Sequence, residues 1–375
     1  MQLCEVCNSA NGNAFEKGSE CHICGGKAMR LHAMIDEAVK LAKAESGGAE
    51  SFSISTLIPK EWLVREEDAW DLKSEGCESI KNMLNRTIAA ALRKETGLGY
   101  WSDGGLKLAF DFESGRVVLQ RNELFVFGRY KKRVAGLSQS RWLCAKCKGK
   151  GCKVCEGKGK NYESVEERIG EPFKAAAGAD AYVMHASGRE DIDATNSAGR
   201  PFVLELAGAR VRRPDLAAAA DVVGKGNEVS VHDLRIVPRS FVELVTESHF
   251  DKAYEADVEF GRDVDEDDAA KVRTLEGQTL LQQTPNRVAH RRADLVRHRK
   301  VKHIEMVRRD AGNPKLATLI IRAEAGTYVK ELISGDGGRT KPNVAELLGT
   351  DAKCKKLEVI GIDDGYMEFC LSRRA

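Results

Sequence analysis

The chain has 375 residues, 42% of them apolar, which is long enough for two or three units that each bury a core. Lys and Arg total 59 against 57 Asp and Glu, so net charge alone points to no polyanionic partner. No uninterrupted apolar run reaches membrane-spanning length and the first residues read MQLCEVC, so neither a membrane helix nor a secretory signal is predicted, and the expected location is the cytoplasm.

Of the eleven cysteines, eight fall in four Cys-x-x-Cys pairs, a pattern that favours metal over disulfides in a cytosolic chain. Cys4/Cys7 and Cys21/Cys24, separated by a polar loop and followed by Gly25-Gly26, resemble a zinc ribbon; four thiolates complete a tetrahedral site. A redox pair is the competing reading, weakened by the second pair at ribbon-like distance. From Lys27 to about Ala44, Met29, Leu31, Met34, Ile35, Ala38, Val39 and Leu41 recur with a helical period, and SGGAESFS then reads as a linker.

A helix is predicted over Ser79–Thr96, stopped by Gly97, followed by strands at Leu106–Phe112 and Val117–Gln120 around ESGR. The run LFVFGRY leads into Lys131, Lys132 and Arg133, closing a small α+β unit with a basic exit. Cys144, Cys147, Cys152 and Cys155 follow inside KGKGCKVCEGKGK, where glycines let the backbone turn about a second zinc. The lysines there suit phosphate contact or solubility equally well. Beyond Gly170, short β-branched runs such as FVLEL, ATLIIRAEA and LEVIGI alternate with helices, as in one mixed α/β domain.

Two segments concentrate chemistry. ASGREDIDA packs a glycine, an arginine and three acids into nine residues, a composition shared by catalytic loops and by solvated acidic turns. AEAGTYVKELISGDGGRTKPNVAELLG ends a strand at a glycine and places Lys330 at the start of a helical turn. Between Arg287 and Arg309, nine Lys or Arg face only two acids, a run suited to phosphate contact or to a solvated face.

GREDIDA with GRPFVLEL, followed by AGTYVKELISGDGGRTKPNVAELLG, resembles the archaeal and eukaryotic THUMP-containing class of tRNA pseudouridine synthases. ESIKNMLNR, LFVFGRYKKRVAGLSQSRW, CAKCKGKGCKVC and QQTPNRVAHRRADLVRHRKV resemble the archaeal form in the same order, over residues 60 to 362. The resemblance implies that Asp191 of the Gly-Arg-x-Asp motif is the catalytic carboxylate, with Arg189 beside it. Lys252-Ala253-Tyr254 matches a Lys-x-Tyr motif whose Tyr stacks on the target uracil. Lys330 matches the cation paired with the Asp, and Val329 and Leu357 match apolar positions around the base. Val329 stands where the family often has Ile, and TNSAGRPF replaces a more usual Met-Leu-Gly-type turn.

The implied fold is α+β, with an N-terminal zinc ribbon and a THUMP-containing RNA-binding domain ahead of a catalytic domain on a largely antiparallel sheet. The expected divisions are 1–50 for ribbon and helix, 51–142 for the THUMP-containing domain, 143–170 for the second cysteine cluster and 171–375 for catalysis. The implied substrate is tRNA, at uridine 55 of the TΨC arm and its neighbour 54. Arg291 and Arg292 are expected to contact it, zinc to be structural, no organic cofactor to be needed, and the protein to be a monomer. The competing reading is a zinc-containing tRNA-binding protein without activity. No Gly-rich cofactor loop or phosphate loop supports a THUMP-linked methyltransferase or thiolation enzyme, and no His-x-Glu with Pro-Cys-x-x-Cys supports a deaminase.

Overall fold

The computed structural model describes all residues except 46–48, 74, 102–103, 292, 310–311 and 373–375, and for 290, 291 and 309 the backbone alone. The chain divides into two compact units: Met1–Leu124 with Lys174–Tyr182 and Leu206–Asp215, and Phe125–Phe173 with Val183–Glu205 and Leu216–Ala375.

In the first unit, strands β1 (Gln2–Leu3) and β2 (Glu16–Lys17) pair in parallel around helix α1 (Glu5–Ala10). Helix α2 (Leu31–Glu45) buries Leu31, Met34, Ile35, Ala38 and Ala42, one apolar stripe at helical spacing. Strand β3 (Ser51–Leu57) and helices α3 (Lys60–Leu72) and α4 (Ile80–Thr96) precede β4 (Gly99–Tyr100), β5 (Leu106–Asp111) and β6 (Arg116–Arg121), which form a sheet of order β4-β3-β5-β6. β3 pairs with β5 in parallel, a connection that needs a crossover, and α3 and α4 supply it. Ser79 caps α4, its Oγ accepting from the Asn82 amide at 3.2 Å, and Gly97 closes it at φ 73°.

The second unit is built on a ten-stranded sheet. Its strands are β7 (Leu124–Lys132), β8 (Ala181–Ala186), β9 (Thr195–Ala207), β10 (Val229–Val237), β11 (Lys252–Phe260), β12 (Thr279–Gln283), β13 (Val296–Arg309), β14 (Leu316–Ala323), β15 (Thr340–Lys341) and β16 (Ala352–Ile362). The order is β10-β7-β9-β16-β11-β14-β13-β12-β15, with β8 on β9. β11 is antiparallel to both neighbours, Tyr254 lying opposite Ile321 and Val359, whereas β16 meets β9 in parallel. Along β11 alternate residues Tyr254, Ala256, Val258 and Phe260 are buried, the period-two pattern of a sheet with one face on a core. That core also takes Leu332 and Ile333 of helix α5 (Val329–Ser334).

The fold is the expected α+β with a large, mainly antiparallel sheet, but one local expectation needs correction. Beyond Leu124, the run LFVFGRY is not part of the small N-terminal unit; as β7 it lies between edge strand β10 and β9 of the large sheet, so that unit begins near Phe125, not at 171. The reason is its burial on both faces, Leu124 to Tyr130 being continuously buried, which a two-layer surface hairpin cannot provide. Helix α3 was not legible because Leu63, Val64 and Leu72 are exposed while Trp62, Glu66 and Ala69 face inward, so its apolar residues do not mark its buried face.

Candidate active site

The Ser187–Ala194 loop connects β8 to β9 and is tied down from beneath. Arg200 and Glu190 form an ion pair at 2.6 Å, each side chain only 1% exposed. Glu190 also accepts from the Tyr130 hydroxyl at 2.7 Å, and Gln139 donates both to that hydroxyl and to the Gly188 carbonyl at 2.9 Å. Arg200 donates to the Ser187 carbonyl at 2.7 Å. Buried Lys132 donates to the carbonyls of Asp191 and Ile192 at 3.2 and 2.9 Å. Gly188 sits at φ 74°, and a Cβ there would come within 3.2 Å of Arg200, so the position requires glycine twice over.

The loop holds Asp191 at the wall of a cavity of about 260 Å3. Arg287 donates to its Oδ1 at 2.7 Å, and Lys330 lies 3.6 Å from its Oδ2. Lys330 is closer to Asp193, both of whose oxygens it reaches at 2.6 and 2.7 Å. Partial burial raises the Asp193 carboxyl, but the Lys330 hydrogen bonds and charge, with its own backbone amide and the Arg287 charge, together outweigh it and hold the group below the usual carboxylate range. Arg287 is oriented by buried Glu331, whose Oε1 accepts from its Nε at 2.6 Å. A fixed guanidinium thus stands against one Asp191 oxygen and an ammonium near the other.

Tyr254, Val329 and Leu357 line the same cavity, all less than 9% exposed. Burial first, then the Asp191 charge, pushes the Tyr254 phenol up to about 12, so it is neutral at physiological pH. Lys252 shares this wall, donating to the Phe250 carbonyl at 2.8 Å. Burial and neighbouring Arg200 bring its ammonium down to about 8. The helical turn bearing Val329 and Lys330 is fixed by buried Gln282, which accepts from the Tyr328 amide at 2.9 Å and donates to its carbonyl at 3.0 Å.

Asp191, Tyr254, Val329, Lys330 and Leu357 are therefore brought together. Arg189 lies at the rim, its guanidinium 5.2 Å from the centroid of the Trp142 ring. Arg292 and the Arg291 side chain lie outside the described residues. Arg287 departs from its expected place in a phosphate-binding run: it is the direct partner of Asp191. Glu190, Arg200, Lys132 and Tyr130 carried no signal, because their pairing depends on β7 and β9 meeting. Farther along the run, Arg297 donates to Thr284 and lies over the Tyr328 ring, and Lys302 is paired with Asp251, while His298 and Lys300 are exposed.

The two cysteine sets each gather four sulphurs within 4.8 Å of one another. Measured separations of 3.5 Å for Cys4–Cys24, 3.9 Å for Cys144–Cys152 and 3.7 Å for Cys147–Cys155 compare with about 3.8 Å between thiolates on a tetrahedral ion bonded at ~2.3 Å. The Gly159 amide also points at the Cys155 sulphur at 3.2 Å. Both sets fit a thiolate-bound metal.

A family model described as Pus10, C-terminal, matches residues 125–363. The tRNA pseudouridine synthase Pus10 of Methanothrix thermoacetophila is 36% identical, covering 96% of this chain and 81% of that protein. Its counterpart in Archaeoglobus fulgidus is 35% identical over 96% of this chain and 100% of that protein. Among solved structures, a Cbf5–Nop10–Gar1 complex aligns at 19% identity and a TM-score of 0.31, over 50% of this chain and 42% of the other, too loose a likeness to carry an argument about the site. Matched over residues 125–363 by the family model and over nearly its whole length by these relatives, the chain belongs to the Pus10 family of tRNA pseudouridine synthases, a family of isomerases.

Proposed function

We propose that this chain isomerises uridine to pseudouridine in the TΨC arm of tRNA, at position 55 and its neighbour 54, with Asp191 as the catalytic carboxylate. The observation that carries the reading is an Arg287-held carboxylate lining the same cavity as Tyr254, Val329 and Leu357. The reaction breaks the N1–C1′ bond, turns the uracil and joins C5 to C1′, with the C5 proton lost and N1 protonated. No electron donor or group donor enters. An ionised Asp191 can attack C1′ or take the C2′ proton, and the buried aromatic and aliphatic wall receives a base that has left its stack. The neutral phenol of Tyr254 suits stacking, since it adds no charge beside the uracil.

In the same reading the unit containing β3 to β6 is a THUMP-type RNA-binding domain, and the exposed part of the basic run contacts phosphates. Zinc occupies both cysteine sets and acts structurally, so elemental analysis should find two ions per chain. The direct test is to incubate the purified protein with unmodified tRNA and map pseudouridine. Conversion at 55, with or without 54, supports the reading; tight tRNA binding without conversion would leave a binding protein only.

A further inference from the structure

Asp191 belongs to the walls of two cavities. Besides the one holding Tyr254, a second of about 300 Å3 adjoins it, lined by Trp142, Arg189, Asp191, Asp193, Arg287 and Lys330. A flipped uridine stays joined to its neighbours through its own phosphates, so adjoining nucleotides must pass over this rim. The shared carboxylate puts the second cavity within one nucleotide of the first.

Its chemistry selects a base over a phosphate. The Arg189 guanidinium lies over the indole, 5.2 Å from its centroid, and Tyr162 meets that indole edge-on, ring centroids 5.7 Å apart at 72°. The indole is thus held in one orientation by a cation and an aromatic edge. Arg189 is exposed, and a planar cation backed by an aromatic ring is a stacking surface for any base. Across the cavity stand two carboxylates, Asp191 and Asp193, and the cations nearest them, Lys330 and Arg287, already face carboxylates. With Arg189, Arg287 and Lys330 matched by Glu190, Asp191 and Asp193, the lining carries no net attraction for a phosphate, whereas a neutral base can stack on the Arg189 plane.

Resting on the proposed isomerase reading, we propose that this second cavity receives the nucleobase adjacent to the target uridine, stacked on the Arg189–Trp142 pair. The contact serves to hold the extruded strand so that the uridine reaches Asp191, which makes Trp142 a substrate-positioning residue.

The test pairs Trp142→Ala and Trp142→Phe with tRNA stem-loops carrying an abasic site immediately 5′ or 3′ of the target, read by single-turnover pseudouridine formation. Trp142→Ala should lower kcat/KM by about tenfold to a hundredfold on the intact RNA, the range of a lost base–aromatic stack, with Trp142→Phe retaining most of the rate. With wild-type protein, one abasic site should cause a similar loss, and on that RNA Trp142→Ala should add nothing. Fluorescence of 2-aminopurine at the same position, read in an Asp191→Asn background, should be quenched on binding and recover with Trp142→Ala. Additive losses at both flanking positions, or unquenched 2-aminopurine at both, would overturn the proposal while leaving the isomerase reading intact. Quenching with no pseudouridine from wild-type protein on any RNA would instead remove that reading and keep the base-binding site.

Discussion

Two polar loops, one carrying Arg189 and the other starting two residues after Trp142, are held in opposite ways. The Ser187–Ala194 loop is fixed by the protein itself: a buried Arg200–Glu190 pair, Tyr130, Gln139 and Lys132 satisfy its charges and carbonyls. The Cys144–Gly159 loop has almost nothing of that kind. Val154 is 66% exposed, and Gly151 and Gly159 approach the carbonyls of Gly157 and Gly149 so closely that a Cβ would lie 2.7 and 2.5 Å from them. Such a loop has no apolar core, and its four sulphurs are what a metal would tie together. A polar segment can thus be ordered by buried charge, which demands exact complementarity, or by a metal, which demands only four ligands and room to turn.

The largest effect is expected where the charge-built loop is broken from beneath. Arg200→Met strands Glu190 in a dry site and should cost about 3–5 kcal/mol of stability in denaturant unfolding, since a buried charge loses its partner. Arg200→Met with Glu190→Leu should recover most of that loss; failure to recover would mean that the pair is held for shape and not for charge balance. A truncation sharpens the same point. Removing residues 1–142 takes away Tyr130, Lys132 and Gln139 and should abolish activity, not merely weaken tRNA binding.

Next comes the metal-built loop. Cys147→Ser should release one of two zinc ions and open residues 146–158 to proteolysis, while the main unfolding transition moves by a few degrees at most. The N-terminal set should resist better: Cys4, Cys7, Cys21 and Cys24 are all buried in a core with Leu3, Ile23 and Leu31, so part of that structure should outlast metal removal. Equal protease sensitivity in the two metal-free segments would break the contrast.

A smaller effect concerns Lys252, which lies behind Gly188. Its folded pKa of about 8 is below the usual 10.5, chiefly through burial. Between those values the unfolded chain holds a proton that the folded chain has released, so stability should rise with pH across that window. Lys252→Met should remove that rise, as measured by denaturant midpoints at pH 7, 8, 9 and 10. The smallest effect is expected outside both loops. Arg299→Gln with Lys300→Gln should leave saturating turnover nearly unchanged and lower the salt slope of tRNA binding by at most about 0.9 per lost phosphate contact.

What could be read from the sequence was local. Ser79 to Gly97 carries its own cap, stripe and stop, and GRED and KAY sit in recognisable motifs. What could not be read depends on distant strands meeting. Glu190 looks like one more acid in an acidic turn until Arg200, ten residues on, is folded back beneath it by β9. Arg287 opens a basic run whose other members face outward in part, and only Glu331 turns it towards Asp191. The burial of β7 on both faces depends on β9 and β10 flanking it, which no local pattern in LFVFGRY shows.

The central claim is that one carboxylate, held against Arg287, performs the chemical step. Asp191→Asn keeps the size and the loop contacts made by the backbone carbonyl while removing the charge, so folding and tRNA affinity should be nearly unchanged. Asp193→Asn, which loses only the closer partner of Lys330, serves as the matched control. Single-turnover pseudouridine formation with both variants at saturating tRNA is the decisive measurement: no detectable product from Asp191→Asn and clear product from Asp193→Asn are predicted, whereas product from Asp191→Asn at a rate near wild type would contradict the account.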